Sequence, residues 1–275
     1  METTSLTRLL AERPTIEILN ANFENPVKQA GAKLFIEPPK GKRLDFGGIG
    51  HAYDYWVRCQ VATIDNDLVA SFLGFQYCRE QYGDDKTTSK ALKEQVNAIL
   101  AAGRESGSQE DLLKACLFLA KFEIEYRSGY AVQSLDVSSD NVNELARLAS
   151  GTDLTRFKKP NLVLHPIFCA EGSKTKIQAD GDIIVEGVLV DLKTSSRMDL
   201  KDNLRQLIGY WALNDLAYRG RQIDRVAVYY PRFDYFREFR PSDLMSDSQM
   251  VTIKGFFASK LGKGIRACRG DESGH

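Results

Sequence analysis

The stretch ADGDIIVEGVLVDLKT, residues 179–194, contains two short apolar runs, Ile183–Val185 and Val188–Val190, joined by Glu186-Gly187. Val and Ile dominate both runs, which predicts two strands. A two-residue connection ending in Gly suits a tight hairpin, although Glu-Gly is a weaker turn signal than Asn-Gly. Closing that hairpin sets Val185 against Val188, Ile184 against Leu189 and Ile183 against Val190. Asp182 then falls opposite Asp191. Side chains alternate along a strand, so Asp180, Asp182, Asp191 and Lys193 are expected on one face. Ile183, Val185, Val188, Val190 and Leu192 fill the other.

Two carboxylates facing each other across a sheet repel. A cation between them removes that cost, and carboxylate oxygens are the ligands a hard divalent ion prefers. Mg²⁺ typically takes one or two of them and keeps its waters. Lys193 adds a positive charge at the same place. It could stabilise charge on a phosphate, or position and deprotonate a water. The plainer alternative is a solvated face of an edge hairpin that happens to carry Asp and Lys. A slip of one residue would also send every side chain to the opposite face.

After Lys193 a polar stretch, Thr194–Arg197, leads to a helix predicted from about Asp199 to Tyr218, with Asp199 as N-cap and Gly220 at its end. Leu200, Leu204, Leu207, Ile208 and Trp211 recur at helical spacing and give it a buried face. Gln206 and Tyr210, four apart, project together from a neighbouring face. Asp182, then Asp191-Leu192-Lys193, then Gln206-x-x-x-Tyr210 resembles the PD-(D/E)XK nuclease superfamily. The Gln-x-x-x-Tyr helix is similar to that of its RecB-type exonuclease branch. The resemblance covers roughly residues 160–240. It implies that Asp182 and Asp191 bind Mg²⁺ or Mn²⁺, that Lys193 serves the attacking water, and that Gln206 and Tyr210 help hold the site and the DNA strand. A lone D-x-K is common by chance; the ordered combination is more specific.

The segment FGGIGHAYDYWVR, Phe46–Arg58, is a Gly-rich entry into a helix. RecB-type nucleases often carry a Gly-rich start, a His and an acid on an early helix. Here the resemblance implies His51 as a further metal ligand, with a tilt toward Mn²⁺ because imidazole favours the softer ion. Asp54 follows three positions later, where four is more usual. The alternative is a helix packed by Tyr53, Trp56 and Val57, with His51 as a capping or core group. His165, before Pro166, reads as structural. Arg232, Tyr235 and Arg237 belong to a mixture of aromatic and basic residues that could grip a single strand. The same mixture is ordinary composition for a strand pair.

The chain has 275 residues, 43% hydrophobic and 27% charged, which suits a globular protein with a sizeable core. The formal net charge is zero, but residues 1–192 carry 22 basic against 27 acidic side chains (−5) and residues 193–275 carry 15 against 10 (+5). This balance neither requires nor excludes a nucleic-acid partner. Cysteines stand at 59, 78, 116, 169 and 268. No two have C-x-x-C spacing, so a zinc ribbon or clustered iron–sulfur site is not indicated. Reduced, mostly buried thiols in a cytoplasmic protein are expected. There is no apolar run of signal-peptide or membrane-span length.

Along the chain, helices are expected over about 5–12, much of 50–82, 88–102, 109–126, 141–149 and 242–261. Strands are expected at Asn161–Phe168, Arg225–Tyr230 and Tyr235–Arg240. Residues 103–111 read as a polar linker. The fold expected is α/β, a restriction-endonuclease-like central mixed sheet flanked by helices, in a single domain. That domain has a helical N-terminal part (about 1–155), a catalytic core (about 156–262) and a basic, fraying tail (about 263–275). The expected activity is Mg²⁺- or Mn²⁺-dependent hydrolysis of DNA, exonuclease-like, in repair, phage replication or anti-phage defence. A catalytically degenerate module binding nucleic acid or a protein is the alternative. DNA with linear or single-stranded ends is the expected partner, with a protein partner or a second copy left open, and no membrane.

Overall fold

The computed structural model describes residues 2–22, 33–62, 66–102, 107–217 and 222–268. The chain opens with strand β1 (Glu2–Ser5) and helices α1 (Leu6–Leu10) and α2 (Arg13–Asn22). The helical section follows as α3 (Phe46–Val61), α4 (Asn66–Ala70), α5 (Leu73–Tyr82), α6 (Lys86–Ala102), α7 (Gln109–Ser128) and α8 (Ser139–Ser150). Then come β2 (Leu162–Leu164), β3 (Ile167–Glu171), β4 (Thr175–Asp180), β5 (Ile183–Val185), β6 (Val188–Leu192) and α9 (Leu200–Ala217). The chain continues through β7 (Arg225–Tyr230), β8 (Tyr235–Phe239), α10 (Pro241–Leu244), α11 (Asp247–Leu261) and β9 (Arg266–Ala267).

The strands form two mixed sheets where the sequence suggested one, and the class is α/β. The five-stranded sheet has the order β2-β5-β6-β7-β8; β6 and β7 are parallel and the other pairs antiparallel. α9 makes the crossover between β6 and β7, as a parallel connection requires. The β5–β6 hairpin pairs Ile183 with Val190, Ile184 with Leu189 and Val185 with Val188. At the turn, Glu186 (φ 50°) and Gly187 (φ 74°) are both left-handed, the geometry a two-residue hairpin needs. Glu186 tolerates it because Asn161 grips its carboxylate through its backbone N–H (3.1 Å) and its amide Nδ2 (3.2 Å).

This sheet is buried on both faces, which explains its near-continuous apolar runs. Ile183, Val185, Val188 and Val190 share one apolar core with residues of α3, α5, α6, α7 and α8. Ile184, Leu189, Val226 and Val228 pack with α9, α11 and α1. α7 is apolar nearly all round because α3, α5, α6 and α8 surround it. A Cβ on Gly74 of α5 would meet the Leu119 carbonyl of α7 at 2.0 Å, so only Gly allows that approach.

The four-stranded sheet, order β1-β4-β3-β9, was not foreseen. The expected strand Asn161–Phe168 breaks at His165-Pro166 into β2 and β3, which lie in different sheets. His165 is left-handed (φ 49°) and Pro166 has no N–H to donate to a ladder. The partner strand bends at the same level: His165 N–H bonds the Asp182 carbonyl (3.0 Å) and Gly181 N–H the Pro166 carbonyl (2.9 Å). Two adjacent strands thus turn one corner together, and Asp180 and Asp182 flank it.

Four further expectations are corrected. The helix expected over 5–12 is the shorter α1, and a second helix that was not expected, α2, starts at Arg13 with Pro14 in its first turn, where Pro is at home. The expected helix over 242–261 is two helices, since Ser246 starts α11 with a capping box to Gln249. The tail does not fray throughout: Arg266–Ala267 pairs with β3, and Cys268 is disulfide-bonded to Cys169. The cysteines are therefore not all thiols; Cys59, Cys78 and Cys116 are free and buried. Residues 269–275, the start of the expected 103–111 linker and Tyr218–Gly220 lie outside the described residues, while Gln109–Asp111 are already helical. Among the described residues no helix is long and apolar enough to cross a membrane.

Candidate active site

A cleft of about 1040 Å³ opens where the carboxyl end of β6 meets α3, α7 and α9. One step beyond the Ile183–Val190 pair, Asp182 lies across from Asp191. The Asp182 Oδ2 accepts the Leu192 N–H (2.6 Å), which ties it to the end of β6. Asp191 is buried; its Oδ1 takes the Lys193 ammonium (2.8 Å), and its Oδ2 has no hydrogen-bond partner. Burial pushes the Asp191 carboxyl up to about 6, against the pull of Lys193 and with a further push from Asp182. Burial works against the Lys193 ammonium, but Asp191 and Asp182 outweigh it and raise its pKa. Lys193 is therefore a standing cation in this arrangement and a poor base.

α9 completes this side. Gln206 Oε1 accepts from Lys193 (3.2 Å) while its Nε2 donates to the Tyr210 hydroxyl (2.7 Å). The chain Tyr210–Gln206–Lys193–Asp191 is continuous. The Tyr210 ring stacks on Phe168 with centroids 5.2 Å apart. Burial first, then Asp191, Asp180 and Asp182, keep its hydroxyl protonated.

The opposite wall comes from α3 and α7. His51 sets its Nδ1 3.1 Å from Glu123 Oε1. Glu123 also accepts from Arg127 Nε (2.8 Å) and the Tyr55 hydroxyl. Burial would raise the Glu123 carboxyl, but His51, Arg127 and Tyr55 together hold it down at about 2. Asp54 pairs with Arg58 one turn on, in two contacts, one of them Nε to Oδ1 at 2.9 Å. Burial drives the Asp54 pKa well up despite Arg58, and Asp182 and Glu123 add to it. Asp180 lines the same cleft as Asp182 and Asp191, but from the other side of the strand corner. It ends β4, beyond the corner, bonded to Arg127 (2.5 Å) and 3.5 Å from His165 Nε2. His165 is anchored in turn by Nδ1 to the Ser71 carbonyl (2.9 Å).

The cleft's five carboxylates, Asp54, Glu123, Asp180, Asp182 and Asp191, face three fixed cations, Arg58, Arg127 and Lys193. The unpartnered Asp191 Oδ2 beside Asp182 is an oxygen donor set that suits a water-rich Mg²⁺ or Mn²⁺. Among the described residues no three of His, Cys, Asp and Glu converge as a metal cage. His51 is thus turned to Glu123 and is not gathered with the two aspartates into a three-ligand set.

The expected nucleic-acid contacts lie elsewhere. Arg232 is fully buried, donating to the Thr194 carbonyl (2.6 Å), the Ile36 carbonyl (3.2 Å) and Glu144 (2.5 Å). It holds the backbone after Lys193 and cannot meet a phosphate. Tyr235 packs on Tyr230 (6.1 Å), and Arg237 is exposed on the edge strand β8; none of the three lines the cleft. Glu123, Arg127 and Arg58 were missed. Arg58 and Glu123 are buried charges on otherwise apolar helix faces, and the more exposed Arg127 stands four residues from Glu123. No protein-family model matches the sequence, and no curated protein matches it either.

Proposed function

We propose that this protein is a metal-dependent nuclease that hydrolyses DNA phosphodiester bonds on a restriction-endonuclease-like core. Asp191 carries the reading: a buried carboxylate with one free oxygen, facing Asp182 and bonded to Lys193. Such a group is costly unless a cation or proton satisfies it. Asp182 and Asp191 would hold a Mg²⁺ or Mn²⁺ ion, which supplies a polarised phosphoryl oxygen and an acidified water. Lys193 offers fixed positive charge for the extra negative charge on the phosphate as it is attacked. Gln206 orients that ammonium through its Oε1 and spaces it from Tyr210. The protonated Tyr210 hydroxyl can donate to a phosphate oxygen or a water. Glu123, held ionised by His51 and Arg127, fixes the imidazole orientation at the far wall.

The test is incubation of purified protein with labelled linear, circular and single-stranded DNA in Mg²⁺, Mn²⁺ or EDTA. Cleavage in either metal, absent in EDTA and in the Asp191→Ala protein, is expected. Shortening of linear DNA with circles left intact would mark the exonuclease-like mode. No cleavage by the wild type in any metal, or unchanged cleavage by Asp191→Ala, would overturn the reading.

A further inference from the structure

Two large apolar side chains stand exposed at the rim of the same cleft. Phe46, the first residue of α3, is 54% exposed, and Tyr126, near the end of α7, is 55% exposed. Both line the cleft that contains Asp182, Asp191 and Lys193. They belong to one rim, because the start of α3 lies beside the end of α7: a Cβ on Gly47 would reach Ile124 Cδ1 at 4.0 Å, and His51 meets Glu123 one turn further in. Tyr126 is held in place by an edge contact with Tyr77, centroids 5.6 Å apart. The Tyr77 and Tyr82 hydroxyls in turn hold Glu125, at 3.2 and 2.6 Å. Phe46 is set by the Asp45 cap on Gly48 N–H (2.9 Å).

Single exposed apolar residues need no explanation, but two rings beside one polar cleft form a recognition surface. The cleft also offers the hydroxyls of Ser5, Thr7, Thr194 and Ser195 and the part-exposed guanidinium of Arg127. That combination, rings beside phosphate-binding donors, is the composition of a single-strand site. Every base has a π-face a ring can cover, and in a duplex those faces are already stacked. Resting on the nuclease reading for the phosphate's position, we infer that Phe46 and Tyr126 are a stacking platform for the unpaired bases of a single strand entering this cleft. The substrate class is then a single strand or a frayed end in preference to closed duplex.

Fluorescence anisotropy of the full chain in Ca²⁺ buffer tests this, with a short labelled oligothymidylate and a blunt duplex of equal length as probes. Phe46→Ala and Tyr126→Ala should each weaken oligothymidylate binding roughly tenfold, the scale of one base–aromatic stack. Duplex binding should change much less. Phe46→Trp and Tyr126→Phe should restore single-strand binding, which a merely packed ring would not require. Circular dichroism of each variant checks that it is folded. No single-strand binding by the wild type, unchanged binding in both alanine variants, or equal loss on both probes would overturn the inference. Binding that follows this pattern without cleavage in Mg²⁺ or Mn²⁺ would sustain the platform and remove the nuclease reading. Cleavage with unaltered alanine variants would do the reverse.

Discussion

Asp191 shows how one side chain can report on a whole cleft. Its folded pKa, about 6, lies above the value near 3.9 of an unfolded chain, so the folded state holds an extra proton between those values. Wild-type stability therefore falls as pH rises through about 4 to 6, and the full cost persists above. Asp191→Asn has no such proton to lose. In metal-free buffer its stability relative to wild type should improve by on the order of 1–3 kcal/mol from pH 4 to pH 7, read from urea unfolding at each pH. A flat difference would mean that Asp191 is not desolvated. The corner sharpens a second comparison. Asp182 faces Asp191, whereas Asp180, in the same cleft, is already engaged by Arg127 and His165. On the nuclease reading, Asp182→Ala should cut cleavage by about two orders of magnitude or more, the scale of losing a key electrostatic group. Asp180→Ala should act mainly through Arg127 and cost about tenfold. Equal losses in a gel assay would mean that both serve the same ion.

At the scale of elements, the β5–β6 hairpin was legible because its Val and Ile runs are short, dense and bounded by Glu186-Gly187. Its register followed from the turn alone. α9 was legible from its leucines, and its Gln206 and Tyr210 reach the same spot as Lys193 because four residues make one turn. The four-stranded sheet was hidden. β1 reads Glu-Thr-Thr-Ser and β4 is mostly polar, so neither has the apolar alternation that marks a strand. The α3–α7 wall was hidden for another reason: Glu123 meets His51 across 72 residues, and no local spacing encodes that pairing. Arg232 misled because aromatic and basic residues together suit both a DNA surface and a buried ion pair. Its pairing with Glu144 predicts that Arg232→Ala destabilises the fold by about 3–5 kcal/mol, the cost of stranding a buried charge. The salt dependence of DNA binding should keep its slope, whereas loss of a phosphate contact would lower that slope by about one.

Across the whole molecule, the Cys169–Cys268 bond closes a separation of 99 residues and pins β9 to β3. Cys268→Ser should lower stability by about 2–5 kcal/mol, the loop-entropy value for so long a loop being near the top of that range, and a reducing agent should match it. If the reducing agent leaves the wild-type melting curve unchanged, the bond does not form in the purified protein. The corner at His165-Pro166 and Gly181 has a different reach. Two neighbouring strands pass from one sheet to the other at the same level, and the five-stranded sheet is a wall shared by both apolar cores. The helical section and strands β5 and β6 share one apolar core. Heating the protein should then give one cooperative event, with calorimetric and van't Hoff enthalpies in agreement. A fragment that starts near residue 156 would expose the inner face of β5 and β6 and should aggregate.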